Sequence, residues 1–439
     1  MRQIIRTLRL FDGSGDAPAP AEIVIEGDRI AEVYRGAGTI STEGDEILDL
    51  PEGTVIPGLI DAHVHLLGSG KPGDAAFGVG DLLNSIPTVT LNCFRNAMSD
   101  LEAGFTTVRD AACRYYADIA LRDAIGRGDV TGPRIWACGL GITSTAGHMD
   151  REKILPPHLS LPGPSAVADG PEEARKAVRQ NLRYDVDFIK FNATLTEHVR
   201  RYQGYCAPEM TAETMAALID EAHWHGRTVA THCYGGEGAD WALAAGVDGI
   251  EHGFYLSDAQ LERMARQGTV LCPTLSVVGK FREHGQRALP DGASHLEAWR
   301  QKAMANAWKT VGRARELGVA IICGTDAAMP YVAHGENAFE LVMLVEAGLT
   351  PTEALVAATS AAATGIDFPE VGLIAPGHFA DLVLVAGDPT ADVAILQDLT
   401  RIALVIKGGQ VVADRRTHAV ASLLGQASAA QRDRVAKIV

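Results

Sequence analysis

Short apolar runs alternate with turn residues over the first 56 residues. The runs IIRTLRLF, AEIVIEG and EILDL have the length and composition of β-strands, and Glu26-Gly27-Asp28 has the composition of a tight turn. Two similar runs, DLVLVAGD and IALVIKGGQVVAD, occur near the other end, where Lys407-Gly408-Gly409 is a second hairpin signal. We expect both groups to form one small β-sandwich domain made of residues 1–56 and 366–415.

Between these two groups, residues 57–365 alternate apolar strands with amphipathic helices. Helix start signals occur at Gly170-Pro171, at Ser257 with Gln260, and at Thr350 with Glu353. Eight such strands separated by helices predict a parallel sheet closed into a (β/α)8 TIM barrel, with a doubly wound open sheet as the alternative. Residues 416–439 are expected to form a helical tail. The eight candidate strands are residues 55–66, 106–111, 134–142, 187–193, 228–234, 249–253, 270–275 and 320–327.

The composition narrows the range of partners. Of the 439 residues, 47% are hydrophobic, enough for a large core, and the formal net charge is -16. Nucleic acids and anionic membranes are bound through basic surfaces, so we expect a small-molecule substrate, no nucleic acid and no membrane. Arg6 and Arg9 interrupt the N-terminal apolar run, which argues against a signal peptide and predicts a cytoplasmic protein. The seven cysteines lack CxxC spacing and are predicted to be reduced thiols.

Potential metal ligands recur where the predicted strands end. His63 and His65 are separated by one residue, so both point to the same side of the first strand. In a (β/α)8 barrel the chemistry occurs at the C-terminal ends of the strands, so ligands from different strands are expected to converge there. Imidazole and carboxylate groups are ligands for divalent transition metals. The later strand ends supply Lys190, His232, His252 and Asp326.

This pattern resembles the amidohydrolase superfamily with a binuclear metal site. The resemblance rests on the His-x-His of VIPGLIDAHVHL, the lysine ending the fourth strand, the histidines ending the fifth and sixth, and Asp326 in GTDA. It extends over nearly the whole chain. Within the superfamily, the segments TTVRDA, THCY, IEHG and the loop containing His148 resemble the Xaa-Pro dipeptidase-like enzymes and related metal-dependent carboxypeptidases.

The resemblance implies two divalent metal ions, with zinc preferred and manganese or cobalt as alternatives. It also implies that Lys190 is carboxylated on its ε-nitrogen. Carbamate formation requires a neutral amine, and burial beside cations lowers the pKa of a lysine. The resulting anion has two oxygens and is suited to bridging two metal ions.

The resemblance further assigns the remaining ligands. One ion would be held by His63, His65 and Asp326, and the other by His232 and His252. The expected reaction is attack by a metal-activated hydroxide on an amide carbonyl. Asp326 would accept the proton of the attacking group and pass it to the leaving nitrogen.

Three further side chains are candidates for substrate binding. His148 follows the third strand in the loop GITSTAGHMD and could bind a substrate carbonyl or carboxylate, although loop histidines are often only solvated. Tyr234 lies two residues past His232 on the same face, where its hydroxyl could donate to the oxyanion, with simple packing as the alternative. Asn192 shares the inward face with Lys190 and makes the mouth of the pocket more polar.

The chain departs from the dipeptidase pattern just after Lys190, where FNATLTEHVRRYQGYC replaces a glycine-containing turn. His223 and His225 precede the fifth strand and are interpreted as structural. Arg109 is interpreted as a buried ion-pair partner of Asp110. An arginine in the loop after Lys190 could bind a substrate carboxylate, although a charged surface loop also explains it. That loop carries His198, Arg200, Arg201 and Tyr202.

Three functional hypotheses remain. The first is a metal-dependent amidohydrolase that cleaves a C–N amide bond in a dipeptide of the Xaa-Pro type or in an N-acyl amino acid. The second is a hydrolase of nonpeptide aryl amides, phenylureas or carbamates, which the departure after Lys190 favours. The third is a non-catalytic scaffold on the same barrel, which the complete ligand set disfavours. Because relatives are commonly oligomeric, we also expect a homo-oligomer.

Overall fold

The computed structural model of the protein describes residues 2–36, 45–71, 79–195, 206–284 and 296–416. The strands are β1 Arg2–Leu10, β2 Ala19–Glu26, β3 Arg29–Arg35, β4 Glu46–Leu50, β5 Thr54–Pro57, β6 Leu59–Val64, β7 Phe105–Asp110, β8 Arg134–Ala137, β9 Gly141–Thr143, β10 Ser165–Val167, β11 Phe188–Asn192, β12 Thr228–Gly235, β13 Gly249–Tyr255, β14 Val270–Cys272, β15 Leu382–Val385, β16 Ile402–Lys407 and β17 Gln410–Asp414. The helices are α1 Val79–Leu82, α2 Ile86–Glu102, α3 Ala117–Gly126, α4 Pro171–Leu182, α5 Ala212–Trp224, α6 Gly236–Ala244, α7 Asp258–Gln267, α8 Leu275–His284, α9 Leu296–Glu316, α10 Phe339–Glu346, α11 Pro351–Ala357 and α12 Ser360–Gly365.

The strands at the two ends of the chain come together. They form one eight-stranded sheet in the order β17-β16-β15-β5-β1-β2-β3, with β4 also paired to β1. Where the sequence predicted a two-sheet sandwich, hydrogen bonds link all eight strands, because β1 pairs with β2, β4 and β5. The predicted hairpin between β16 and β17 is confirmed. Its turn residues Gly408 and Gly409 have φ values of 55° and 72°, which glycine adopts without strain.

The chain passes from this sheet into the central segment at Gly58. The first predicted strand, residues 55–66, is therefore two strands: β5 belongs to the eight-stranded sheet and β6 to a different, parallel sheet. A Cβ atom at Gly58 would lie 2.0 Å from Thr106 Oγ1, so only glycine fits at this bend.

The central segment contains two parallel sheets, β6-β7-β8 and β10-β9-β11-β12-β13-β14. The predicted strand 134–142 is divided into β8 and β9, because Gly139 between them has a φ of 65°. Residues 320–327 are not a continuous strand as predicted. They form isolated parallel bridges to β14 at Leu271 and to β6 at Val64, and Asp326 interrupts the extended backbone with a φ of 60°. These bridges connect the edges of the two sheets.

The helix start signals in the sequence are confirmed. Ser257 with Gln260 and Thr350 with Glu353 form complete capping boxes, and Pro171 is in the first turn of α4. Among the helices of the described ranges, none combines the length and apolar composition that a membrane span requires. The predicted helical tail lies outside the described residues from position 417 onward.

Arg134 of β8 connects the parallel sheets to the eight-stranded sheet. Its Nε donates a hydrogen bond to the buried carboxylate of Asp381 at 2.9 Å. The Arg134 guanidinium also lies 3.5 Å from the ring centroid of Phe379, as does that of Arg29 at 3.6 Å. These ion-pair and cation–π contacts hold the β-sheet unit against the segment that carries the candidate site.

Candidate metal centre

His63 is the second-to-last residue of β6, a strand in which every residue is buried, and His65 follows directly after the end of this strand. Their ring centroids are 5.3 Å apart. The backbone NH of Asp326 donates to His63 O at 2.7 Å, and the NH of His65 donates to Ala327 O at 3.0 Å. The positive φ of Asp326 turns its carboxylate toward these histidines, and its Oδ1 lies 3.5 Å from His63 Nε2 and 3.3 Å from His65 Nε2.

His232 of β12 and His252 of β13 come from adjacent parallel strands. Their ring centroids are 4.6 Å apart, and that of His252 is 5.3 Å from His63. His252 also has a positive φ, 73°, and its Nδ1 lies 2.7 Å from the hydroxyl of Thr274. One ligand atom each from His63, His252 and Asp326 lies within 4.8 Å of the others, which is close enough to hold one metal ion.

Two buried polar side-chain atoms in this cluster have no hydrogen-bond partner. They are His232 Nε2 and Asp326 Oδ1. Burying a polar atom without a partner costs free energy, so such atoms usually indicate a missing ligand, ion or water. Imidazole nitrogen and carboxylate oxygen are zinc-type ligands, so the donor set fits a divalent transition metal.

Burial favours the neutral form of three imidazoles of the cluster, those of His65, His232 and His252. It lowers the pKa of His252 to about 3 and that of His232 well below its usual range. Burial would raise the pKa of Asp326, but the adjacent imidazoles of His63 and His65 outweigh this effect and the pKa is lowered. These three imidazoles are therefore neutral and the Asp326 carboxylate is ionised, which are the metal-binding forms.

Lys190 lies in the interior of β11 and is 2% exposed. Burial lowers its pKa, although the charges of Glu251 and Asp326 favour the ammonium form. Both acids act on Lys190 electrostatically, so the structure places this lysine beside the cluster. A lowered pKa increases the fraction of neutral amine, the form that reacts to give a carbamate.

His148 and Tyr234 both lie against His232. The ring of half-buried His148 stacks on that of His232 with centroids 4.1 Å apart and planes inclined by 16°. The Tyr234 ring lies 4.7 Å from His232 and 5.7 Å from His252. It also stacks on Phe254 at 5.3 Å, which extends the aromatic surface beside the histidines.

Asn192 is adjacent to His232 in the register between β11 and β12. Its side chain is fully buried, and neither amide atom has a hydrogen-bond partner. The polar residue predicted at the pocket mouth is thus closed off from solvent. Its part in substrate binding stays a prediction.

Glu209 is a site residue that the sequence analysis missed. Its carboxylate accepts hydrogen bonds from Thr143 Oγ1 at 2.6 Å, Ser144 N at 2.9 Å and His148 N at 2.8 Å. Glu209 thereby holds the loop that carries His148. Glu209 and His148 are 61 positions apart in the sequence, so no local pattern would have revealed the contact.

The interpretation of Arg109 as an ion-pair residue is right, but its predicted partner is wrong. Its Nη2 donates to Glu251 Oε1 at 2.5 Å, whereas Asp110 accepts from the backbone NH groups of Ala112 and Leu66. Arg109 and Asp110 are neighbours in a strand and point to opposite sides. One sequence feature could have identified Glu251: it is a charged residue within GIEHG, a segment predicted to be a buried strand.

The remaining histidine predictions concern positions outside the cluster. His223 and His225, at the end of α5, contact Asp248 at 2.8 Å and Glu221 at 3.2 Å, as expected for structural residues. The four residues named in the loop after Lys190, including the two arginines that could bind a substrate carboxylate, lie outside the described residues. They are His198, Arg200, Arg201 and Tyr202.

Metal-dependent hydrolases on barrel folds typically have imidazole and carboxylate ligands at the carboxyl ends of parallel strands. The cluster has this composition, and the buried Lys190 lies in the interior of β11. Residues 54–412 match the amidohydrolase family, so the chain belongs to this family and is a hydrolase that acts on C–N bonds.

Individual relatives agree with this assignment. The chain is 29% identical to ochratoxinase from Aspergillus niger over 431 residues, which cover 92% of this chain and 85% of the relative. It is similar to an Xaa-Pro dipeptidase solved with methionine bound in the active site, with 31% identity, a TM-score of 0.81 and coverage of 94% and 99% of the two chains. A prolidase in complex with N-methylphosphonate-L-proline has 27% identity, a TM-score of 0.82 and coverage of 94% and 100%.

Proposed function

We propose that the protein is a metal-dependent amidohydrolase that cleaves the C–N amide bond of a small substrate, either a dipeptide of the Xaa-Pro type or an N-acyl amino acid. The observation that carries the proposal is the buried cluster of His63, His65, His232, His252 and Asp326, in which two polar side-chain atoms lack hydrogen-bond partners. On this proposal, the two parallel sheets and residues 320–327 form a (β/α)8 barrel around the site.

The cluster suits two divalent ions, preferably zinc, with manganese or cobalt as alternatives. His63, His65 and Asp326 would hold one ion, His232 and His252 the other, and the carbamate of Lys190 would bridge them. When bound, such ions polarise the substrate carbonyl and lower the pKa of water so that hydroxide forms near neutral pH.

Asp326 is the proposed proton carrier. Its ionised Oδ1 accepts a proton from the attacking water and then donates it to the leaving nitrogen. The lowered pKa of Asp326 means that its carboxylate is ionised before the attack, which is the form that can accept the proton.

Tyr234 and His148 are the proposed substrate-binding residues. Tyr234 lies beside both His232 and His252, so its hydroxyl can donate to the oxygen of the tetrahedral species. His148 can donate to the substrate carbonyl or carboxylate from the loop that Glu209 holds. Asn192 is retained as a third candidate for substrate binding.

The names of the relatives support the substrate class. An Xaa-Pro dipeptidase and a prolidase act on dipeptides, and the prolidase complex contains a phosphonate joined to L-proline. Ochratoxinase, named for ochratoxin, extends the range beyond dipeptides. An N-acyl amino acid and a dipeptide share an amide bond next to a free carboxylate, which defines the class proposed here.

A second candidate function is the hydrolysis of nonpeptide aryl amides, phenylureas or carbamates. It is favoured by the stacked rings of Tyr234 and Phe254 beside His252, which offer an aromatic surface to an aryl group. These substrates have no carboxylate, so they are recognised through packing.

The test compares matched substrates on the zinc-loaded protein. Xaa-Pro dipeptides and N-acyl amino acids are assayed beside their carboxamides, together with neutral anilides and phenylureas. The proposal predicts turnover of the acids and loss of turnover in their carboxamides. Turnover of neutral anilides or ureas, with inert acids, would establish the second function. No hydrolysis of any member by metal-loaded protein would contradict both.

A further inference from the structure

A buried chain of polar contacts leads to His63 and has no part in the proton transfers described above. Arg109 Nε donates to Ala62 O at 2.5 Å, and Arg109 Nη2 donates to Glu251 Oε1 at 2.5 Å. The other carboxylate oxygen, Glu251 Oε2, lies 2.6 Å from His63 Nδ1. Arg109, Glu251 and His63 are all at least 97% buried and come from β7, β13 and β6.

We propose that Glu251 is a positioning residue for the metal centre. It fixes the tautomer and the ring orientation of His63, and Arg109 holds the Glu251 carboxylate in place. The inference rests on the proposed function only in taking His63 as a metal ligand.

The tautomer of His63 follows from which atoms of Arg109, Glu251 and His63 can donate a hydrogen bond and which can accept one. A carboxylate paired with a guanidinium is ionised and can only accept hydrogen bonds. At 2.6 Å from Glu251 Oε2, the Nδ1 atom of His63 must therefore carry the proton. The lone pair is then on Nε2, the atom that lies 3.5 Å from Asp326 Oδ1 on the ligand side of the ring.

His63 differs from two neighbouring histidines in the kind of oxygen that lies next to its Nδ1 atom. His65 Nδ1 lies 3.3 Å from the carbonyl of Ala112, and His252 Nδ1 lies 2.7 Å from the hydroxyl of Thr274. Those oxygens are neutral, whereas the Glu251 carboxylate is charged. A charged acceptor holds the ring more firmly and makes its other nitrogen a stronger ligand.

The same residues could instead be a second metal site, because ligand atoms of His63, Glu251 and Cys272 lie within 4.8 Å of one another. Two features argue against it. Arg109 already donates to Glu251 Oε1, and its fixed positive charge would repel a cation at that position. In addition, a protonated His63 Nδ1 has no lone pair for an ion. The group is therefore a hydrogen-bonded support.

The first test measures zinc affinity of the full chain by competition with a chromophoric chelator. Glu251→Gln keeps the shape of the side chain but removes its charge, so the affinity is expected to fall about 10- to 100-fold. Asp381→Asn is the matched control, because Asp381 is also a buried carboxylate paired with an arginine, Arg134, but contacts no proposed ligand. It should retain wild-type affinity. Wild-type affinity in folded Glu251→Gln would overturn the proposal.

The second test reads the tautomer in the wild-type protein and uses a variant only to assign the signals. Nitrogen-15 NMR of metal-free, histidine-labelled protein reports the tautomer of each ring, and the His63 signals are those lost in His63→Gln. The proposal predicts a proton on Nδ1 and none on Nε2. A proton on Nε2, alone or with Nδ1, would overturn it. Failure of the proposed function would look different, as wild-type protein that binds zinc but hydrolyses no substrate.

Discussion

An ammonium group is strongly disfavoured in a protein interior, and Lys190 is almost completely buried in β11. Two nearby acids favour its charged form, yet burial has the larger effect and the pKa is lowered. A neutral amine can add carbon dioxide, which forms a new C–N bond to the ε-nitrogen and releases one proton. The burial that makes Lys190 costly as a cation is thus what suits it to become a carbamate.

Replacing Lys190 tests this chemistry. Lys190→Met keeps the apolar stem and removes the amine, so we expect loss of bound metal together with loss of hydrolysis. Lys280→Met is the control, because Lys280 pairs with Glu283 and Glu336, which are not proposed ligands. Metal content is measured by atomic emission on protein loaded with and without bicarbonate. A metal-replete and active Lys190→Met variant would remove the carbamate from the mechanism.

At the scale of the element, the loop after β9 matters because it presents His148 to His232. Glu209 accepts hydrogen bonds from both ends of this loop, at Thr143 and at His148. Gly147 allows the approach: a Cβ atom there would lie 2.3 Å from Glu209 Oε1 and 2.6 Å from Thr143 Oγ1. Glycine is therefore required at position 147 for close packing of the loop against Glu209.

Gly147→Ala should therefore displace Glu209 and separate His148 from His232. Because small misplacements of substrate-binding groups are costly, we expect kcat/KM to fall about 10- to 100-fold. Zinc content should be unchanged, since the proposed ligands are untouched. Gly126→Ala is the control, because Gly126 ends α3 with open space around its Cβ position. Wild-type kcat/KM in Gly147→Ala would show that the loop position does not matter for the reaction.

At the scale of the molecule, the site residues that could be predicted were those marked by a short pattern in the sequence. His63 and His65 were identified from their spacing within one strand, and the other candidates from their positions at strand ends. Contacts between side chains from distant parts of the chain could not be recognised in the sequence. Arg109 and Glu251 are separated by 142 residues, so only the packing of β7 and β13 reveals the pair. The strand predicted at residues 320–327 failed because the positive φ of Asp326 depends on its place beside β6, not on its neighbours in sequence.

Global stability should also depend on an acid that no local pattern revealed. Glu340 in α10 is fully buried, and its carboxyl accepts hydrogen bonds from Leu275 N at 2.8 Å and Ser276 N at 2.5 Å, at the start of α8. Burial raises its pKa from 4.5 to about 8, more than these hydrogen bonds lower it. The folded protein therefore binds a proton at Glu340 that the unfolded chain releases above pH 4.5.

Because the folded-state pKa is the higher one, the contribution of Glu340 to the unfolding free energy is complete below pH 4.5 and is lost as the pH rises toward 8. Glu340→Gln cannot titrate, so the wild-type stability relative to this variant should fall by about 3 to 5 kcal/mol between pH 5 and 8. Urea unfolding of both proteins, kept metal-free by a chelator, measures this difference without the pH dependence of metal binding. If the unfolding free energies of the two proteins changed with pH in parallel, Glu340 would already be ionised in the folded protein. Its two backbone hydrogen bonds would then lower its pKa more than burial raises it.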